Sequence, residues 1–75
     1  MEYGILKFYY AENMFCVSHY TAKFTTENNN QTFPITEEEC VNKDKFKIRI
    51  LNELTDKGWI VITQKENEYT LLNKN

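Results

Sequence analysis

Glycine and proline are nearly missing from this 75-residue chain, which holds two of the first and one of the second. With only Gly4 and Gly58 there is no glycine-rich loop to cradle a phosphate, and nucleotide-binding enzymes of the usual kinds are excluded. His19 is the only histidine, and no Ser, Cys or acid stands beside it in a recognisable motif, so no nucleophile-base pair can be assembled. Cys16 and His19 have the spacing of metal ligands, but positions three apart on a strand point to opposite faces unless a bulge intervenes. The remaining cysteine pairing, Cys16 with Cys40, lacks the signal peptide that would imply an oxidising compartment, so both are expected as reduced thiols. No cofactor and no metal is expected. The sequence therefore points away from an enzyme.

Also missing are a basic, apolar, cleavable start and any apolar run near the ~20 residues of a membrane span, so a cytoplasmic protein without membrane contact is expected. Arg49 stands alone against eight lysines, and with nine asparagines this is the signature of AAA and AAT codons in an AT-rich bacterial or phage genome. A net charge of only -2 carries no basic footprint for nucleic acid.

What the chain does have is apolar surface: 41% hydrophobic residues, five Tyr, five Phe and one Trp, too many for a disordered segment. Its length suits one domain, residues 1–75, near the lower limit for an unaided core, since such chains bury only ~60% of their unfolded surface. Tyr3 to Tyr10 and Met14 to Thr26 are rich in aromatic and β-branched residues and read as a hairpin around Ala11-Glu12-Asn13. A three-residue loop with Asn13 left-handed would pair Tyr10 with Met14, Phe8 with Cys16 and Leu6 with Ser18. Glu27 to Gln31 is a polar turn, after which Thr32 to Ile35 returns as a short strand that Pro34 confines to an edge.

Thr36 and Glu39 form a capping box, and Glu37 and Glu38 beside them suit the positive end of a helix without any metal or binding role. Carrying that helix onward would put Asp44 and Lys47 in its apolar stripe, which predicts a break near Asn42 to Asp44. The principal helix is predicted over Asp44 to Lys57, with Phe46, Ile50, Leu51 and Leu54 inward and Ile48 on the border. Gly58 is the left-handed stop, Trp59 should lie on Leu54, and Trp59 to Gln64 is predicted as a largely buried strand. Glu68 to Asn73 pairs back to it through Lys65-Glu66-Asn67.

The fold class expected is α+β, a small antiparallel sheet in the order β-β-(β)-α-β-β packed on one principal helix. Alternation then sets a core face of Leu6, Phe8, Met14, Cys16, Ala22 and Phe24 against a second face of Tyr3, Ile5, Tyr9, Phe15, Val17 and His19. One helix covers one face. The other needs the Phe33-Pro34-Ile35 segment, a second copy in a homodimer, or a foreign protein, and its six residues form the candidate protein-interaction surface.

The motif Leu51-Asn-Glu-Leu54-x-x-x-Gly58-Trp59 before a hydrophobic strand resembles a small bacterial and phage family of unknown function. The resemblance covers about a third of the chain and implies a fold, with no activity to transfer. The stretch from Lys47 to Leu72 also resembles the last helix and wing of winged-helix DNA-binding domains. That likeness implies a truncated preceding helix over Ile35 to Val41, phosphate contacts from Lys45, Lys47 and Arg49, and Lys65 at the wing tip. The residues themselves favour a non-enzymatic protein-binding accessory protein of a phage or mobile element, acting as an inhibitor or modulator of a host protein.

Overall fold

A computed structural model of the chain describes residues 1–13, 16–40 and 42–74, with side chains described except at 10–13, 16–20, Glu37 and Cys40. Five strands form one antiparallel sheet: β1 (Glu2–Asn13), β2 (Cys16–Thr26), β3 (Asn30–Pro34), β4 (Trp59–Gln64) and β5 (Glu68–Asn73), in the order β3-β2-β1-β5-β4. Between β3 and β4 run a single turn, α1 (Glu37–Cys40), and the principal helix, α2 (Lys43–Asp56). The fold is α+β, as the patterning predicts. β1 is the central strand because β5 returns to its free side, with Tyr3 opposite Leu72, Ile5 opposite Thr70 and Lys7 opposite Glu68.

The helix pair begins as the capping box dictates. The Thr36 amide donates to Glu39 Oε1 at 3.0 Å, and the Glu39 amide is shared between Thr36 O at 3.1 Å and Thr36 Oγ1 at 3.4 Å, so both donors at the helix start are satisfied. The break also falls where the phase required it: Asn42 is extended at φ -144°, and α2 starts at Lys43. From there Phe46, Ile50 and Leu54 point into the sheet, with Leu51 at the margin and Ile48 exposed. Gly58, at φ 96°, ends the helix in the left-handed region, and its amide donates to Thr55 O at 3.0 Å. Trp59 is buried in the same cluster as Leu54, and its ring stands edge-on to Phe24 at 4.8 Å. The fully buried side chains Leu6, Phe46, Ile50, Leu54 and Leu71 each contribute roughly 1.5–3 kcal/mol of burial.

Two expectations fail, each for a packing reason. The first hairpin is longer than its polar break suggested: Leu6 faces Phe24 and Phe8 faces Ala22, so the strands run on through Ala11-Glu12-Asn13 and Asn13 faces Cys16. The displacement from the expected register is even, so the same residues stay on the same face and local alternation is equally satisfied either way. Burial decides: Phe24 and Ala22, which are buried, lie opposite Leu6 and Phe8 beneath α2. Near the tip the β1–β2 register shifts between Ala11 and Asn13, so strict alternation does not carry from His19 to Cys16. Met14, expected on the core face, lies outside the described residues, as does the side chain of Cys16.

The second failure is β4. Only Trp59 is buried, while Ile60, Val61 and Ile62 are 39 to 52% exposed. An α-helix about 10 Å across covers two to three strands spaced at ~4.8 Å, and β4 is at the far edge of five. Its register with β5 also shifts between Val61 and Thr63, which turns Ile62 out of the regular ladder. The return of β3 begins at Asn30, two residues earlier than expected, and Pro34 sits on an edge strand as its missing amide requires.

Candidate functional site

The side of the sheet turned away from α2 is built by the odd-numbered positions from Tyr3 to Tyr9 on β1 and from Thr21 to Thr25 on β2. Leu6 and Phe8 are buried under the helix, so alternation sends Tyr3, Ile5, Lys7 and Tyr9 to the outer face. Tyr3 is 57%, Ile5 41% and Tyr9 46% exposed. Cross-strand pairing extends each of these into a row. Ile60, Leu72 and Tyr3 stand side by side, then Thr70, Ile5 and Thr25, then Glu68, Lys7 and Lys23, then Tyr9 beside Thr21.

Of the six residues expected to make an interaction surface, Tyr3, Ile5 and Tyr9 therefore share one exposed face. Phe15 lies outside the described residues, as do the side chains of Val17 and His19, although the His19 backbone pairs with Ala11 on β1. The cover that the chain could have supplied goes elsewhere. Phe33 is buried at 5% exposure in the same core as Phe46 and Ile50, because β3 adds to the edge of the sheet rather than folding across it.

Lys7 and Lys23 belong to this face by the same parity as the tyrosines, and they were legible in the alternation although not singled out. Lys23 Nζ stands 5.5 Å from the Tyr9 ring centroid, close enough for a cation-π contact. Ile5, Lys7, Tyr9, Lys23 and Thr25 together line a shallow depression of about 210 Å³. With two lysines against Glu68, this face is locally positive in a chain of net charge -2. Ile60, beside Leu72, adds an apolar margin that the sequence pattern had assigned to the core.

Two of the four cations named by the DNA-binding likeness, Arg49 and Lys47, are otherwise employed. Arg49 donates to both oxygens of Glu39 and to Pro34 O at 3.0 Å, and Lys47 Nζ stands 5.5 Å from the Phe8 ring centroid. Along α2, Lys43, Lys45, Lys47 and Arg49 stand against Asp44, Glu53 and Asp56, a surplus of one positive charge, and Arg49 is already paired with Glu39. The preceding α1 is a single turn. No family model, no curated protein and no solved structure matches this chain. Among the described residues no group of three or more His, Cys, Asp or Glu side chains could hold a metal, and no helix is long and apolar enough to cross a membrane.

Proposed function

We propose that this chain is a non-enzymatic protein-binding domain that acts through the outer face of its sheet. The observation that carries the reading is the burial of Phe33 in the core, which takes the Phe33 segment away from Tyr3, Ile5 and Tyr9 and leaves these three exposed. Apolar and aromatic side chains grouped on an open sheet face, rimmed by threonine and lysine, have the composition of an interface centre with a polar margin. The codon-like excess of lysine and asparagine, and the likeness of Leu51 to Trp59 to a bacterial and phage family, support an accessory protein of a phage or mobile element. Its effect on a host protein would be inhibition or modulation by occupancy, since binding requires no reacting group.

The test is in-cell cross-linking followed by mass spectrometry, comparing the natural chain with Tyr3→Ser/Ile5→Thr. Circular dichroism should show the same fold, because both positions are exposed, and the cross-linked species, self or foreign, should disappear. An unchanged set of cross-linked species in the folded variant would overturn the reading.

A further inference from the structure

The β1–β5 ladder is chemically matched to itself in one particular way. Its outer-face pairs are Tyr3 with Leu72, Ile5 with Thr70 and Lys7 with Glu68: one apolar pair, one mixed pair and one pair of opposite charges. A two-fold axis along the strands and between β1 and β5 would lay β1 of one copy over β5 of the other without changing the rows. Tyr3 then covers Leu72 of the second copy, Ile5 covers Thr70, and Lys7 covers Glu68, each contact occurring twice.

Axes along β1, along β5 and between β1 and β2 do not give this match. An axis along β1 sets Lys7 over Lys7, and one along β5 sets Glu68 over Glu68. An axis between β1 and β2 sets Lys7 over Lys23, because these two pair in register. Like charges brought together at an interface oppose association by several kcal/mol, so the charge pattern disfavours these three placements.

We propose that the occupant of the outer face is a second copy of this chain, docked sheet to sheet about the two-fold between β1 and β5. The inference rests on the reading of this face as a protein-binding surface and names its partner. Twisted sheets stack in this aligned manner at ~30° with their inner side chains interdigitated. The rows that would stack are those of the β1–β5 ladder, from Glu2 opposite Asn73 to Lys7 opposite Glu68, six residues or roughly 20 Å at ~3.3 Å each.

The test measures molar mass by light scattering or sedimentation at micromolar concentration. The natural chain should have twice its 9.0 kDa chain mass. Lys7→Glu alone and Glu68→Lys alone should each raise the dimer dissociation constant by ~10-fold or more, since each creates two like-charge contacts. An equimolar mixture of the two variants should restore the dimer. Only the mixed pair sets the introduced glutamate of one chain opposite the introduced lysine of the other, and leaves Lys7 opposite Glu68 at the second contact. A cross-strand effect within one sheet cannot be repaired by mixing, so restoration reports a contact between copies.

Should charge reversal unfold the chain, Lys7→Gln and Glu68→Gln carry the test through weakened association at retained fold. A natural chain that is monomeric, a dimer indifferent to both substitutions, or a mixture that stays dissociated would overturn the two-fold proposed here. The monomer result would leave the protein-binding reading standing with a foreign partner. That reading fails separately if Tyr3→Ser/Ile5→Thr changes no cross-linked species.

Discussion

Arg49 holds Glu39 at two points: Nε donates to Oε2 at 2.6 Å and Nη2 to Oε1 at 3.0 Å, joining the one-turn α1 to α2 across the break at Asn42. The Arg49 Nη2 group also donates to Pro34 O, so the last residue of β3 is tied to the same guanidinium. Glu39 is only 6% exposed, and it is the buried charged group among the described residues. Its carboxylate accepts from Arg49 on one side and from the Thr36 amide on the other, which satisfies a charge that burial alone would disfavour.

Removing that charge should weaken the fold in a pH-dependent way. The Arg49 hydrogen bonds, aided by those of Thr36 and opposed by burial, lower the Glu39 pKa from 4.5 to about 2. A depressed carboxylate pKa contributes stability that is fully present above 4.5 and is lost as pH falls toward about 2. Glu39→Gln should therefore cost about 1.5–3 kcal/mol at neutral pH, the range for hydrogen bonds to charged groups, and little near pH 2. Denaturant unfolding of both chains across this interval checks it. A constant difference from neutral pH down to about 2 would show that the carboxylate charge is not what Arg49 stabilises.

Gly4 should not tolerate even a methyl group. A Cβ there would run into the Phe24 ring and lie 3.2 Å from the Trp59 ring. Phe24 cannot readily retreat, because it is buried and stands edge-on to Trp59. Gly4→Ala should destabilise by about 1–3 kcal/mol, the cost of overpacking a filled core. Phe24→Leu, which costs stability alone, should recover part of the loss in the Gly4→Ala background. Thermal unfolding of the two single variants and the double variant measures this coupling, and simple additivity would contradict the clash.

The edge position of β4 gives the opposite expectation for a hydrophobic residue. Ile62 is 49% exposed and sits at the register shift, so Ile62→Lys should alter stability by no more than ~0.5 kcal/mol. Phe46 is fully buried against the Phe8 ring, and Phe46→Ala should cost about 3–5 kcal/mol, a large share of the total stability of so small a chain. Chemical denaturation of both variants tests the contrast. An Ile62→Lys chain that unfolds would return β4 to the core. The charge should also reduce self-association through this apolar edge in concentrated solution.

Much of the local architecture is written in short stretches whose physics is self-contained. Thr36 with Glu39 specifies a helix start because the two groups satisfy each other's amides within one turn. Gly58 specifies a stop because few other residues adopt φ 96° without strain. The stripe Phe46, Ile50, Leu54 and the strands Trp59–Gln64 and Glu68–Asn73 follow from periodicity in the same local sense. For the candidate surface, period-two alternation was enough to place Tyr3, Ile5 and Tyr9 together on β1.

What remained for the tertiary structure were quantities that neighbouring residues do not encode. An even displacement of a hairpin preserves every face assignment, so alternation could not choose between Ser18 and Phe24 as the partner of Leu6; packing beneath α2 did. A run such as Ile60-Val61-Ile62 reads as buried until the strand order puts it beyond the width of one helix. Phe33 could have crossed either face, and its burial beside Phe46 is what leaves the outer face open. Sequence by itself determined which residues share a face. It also named Leu6, Phe8, Ala22 and Phe24 as the covered face; only the assembled sheet decided that Phe33 does not cross to the other, because β3 joins the sheet edge and packs into the same core.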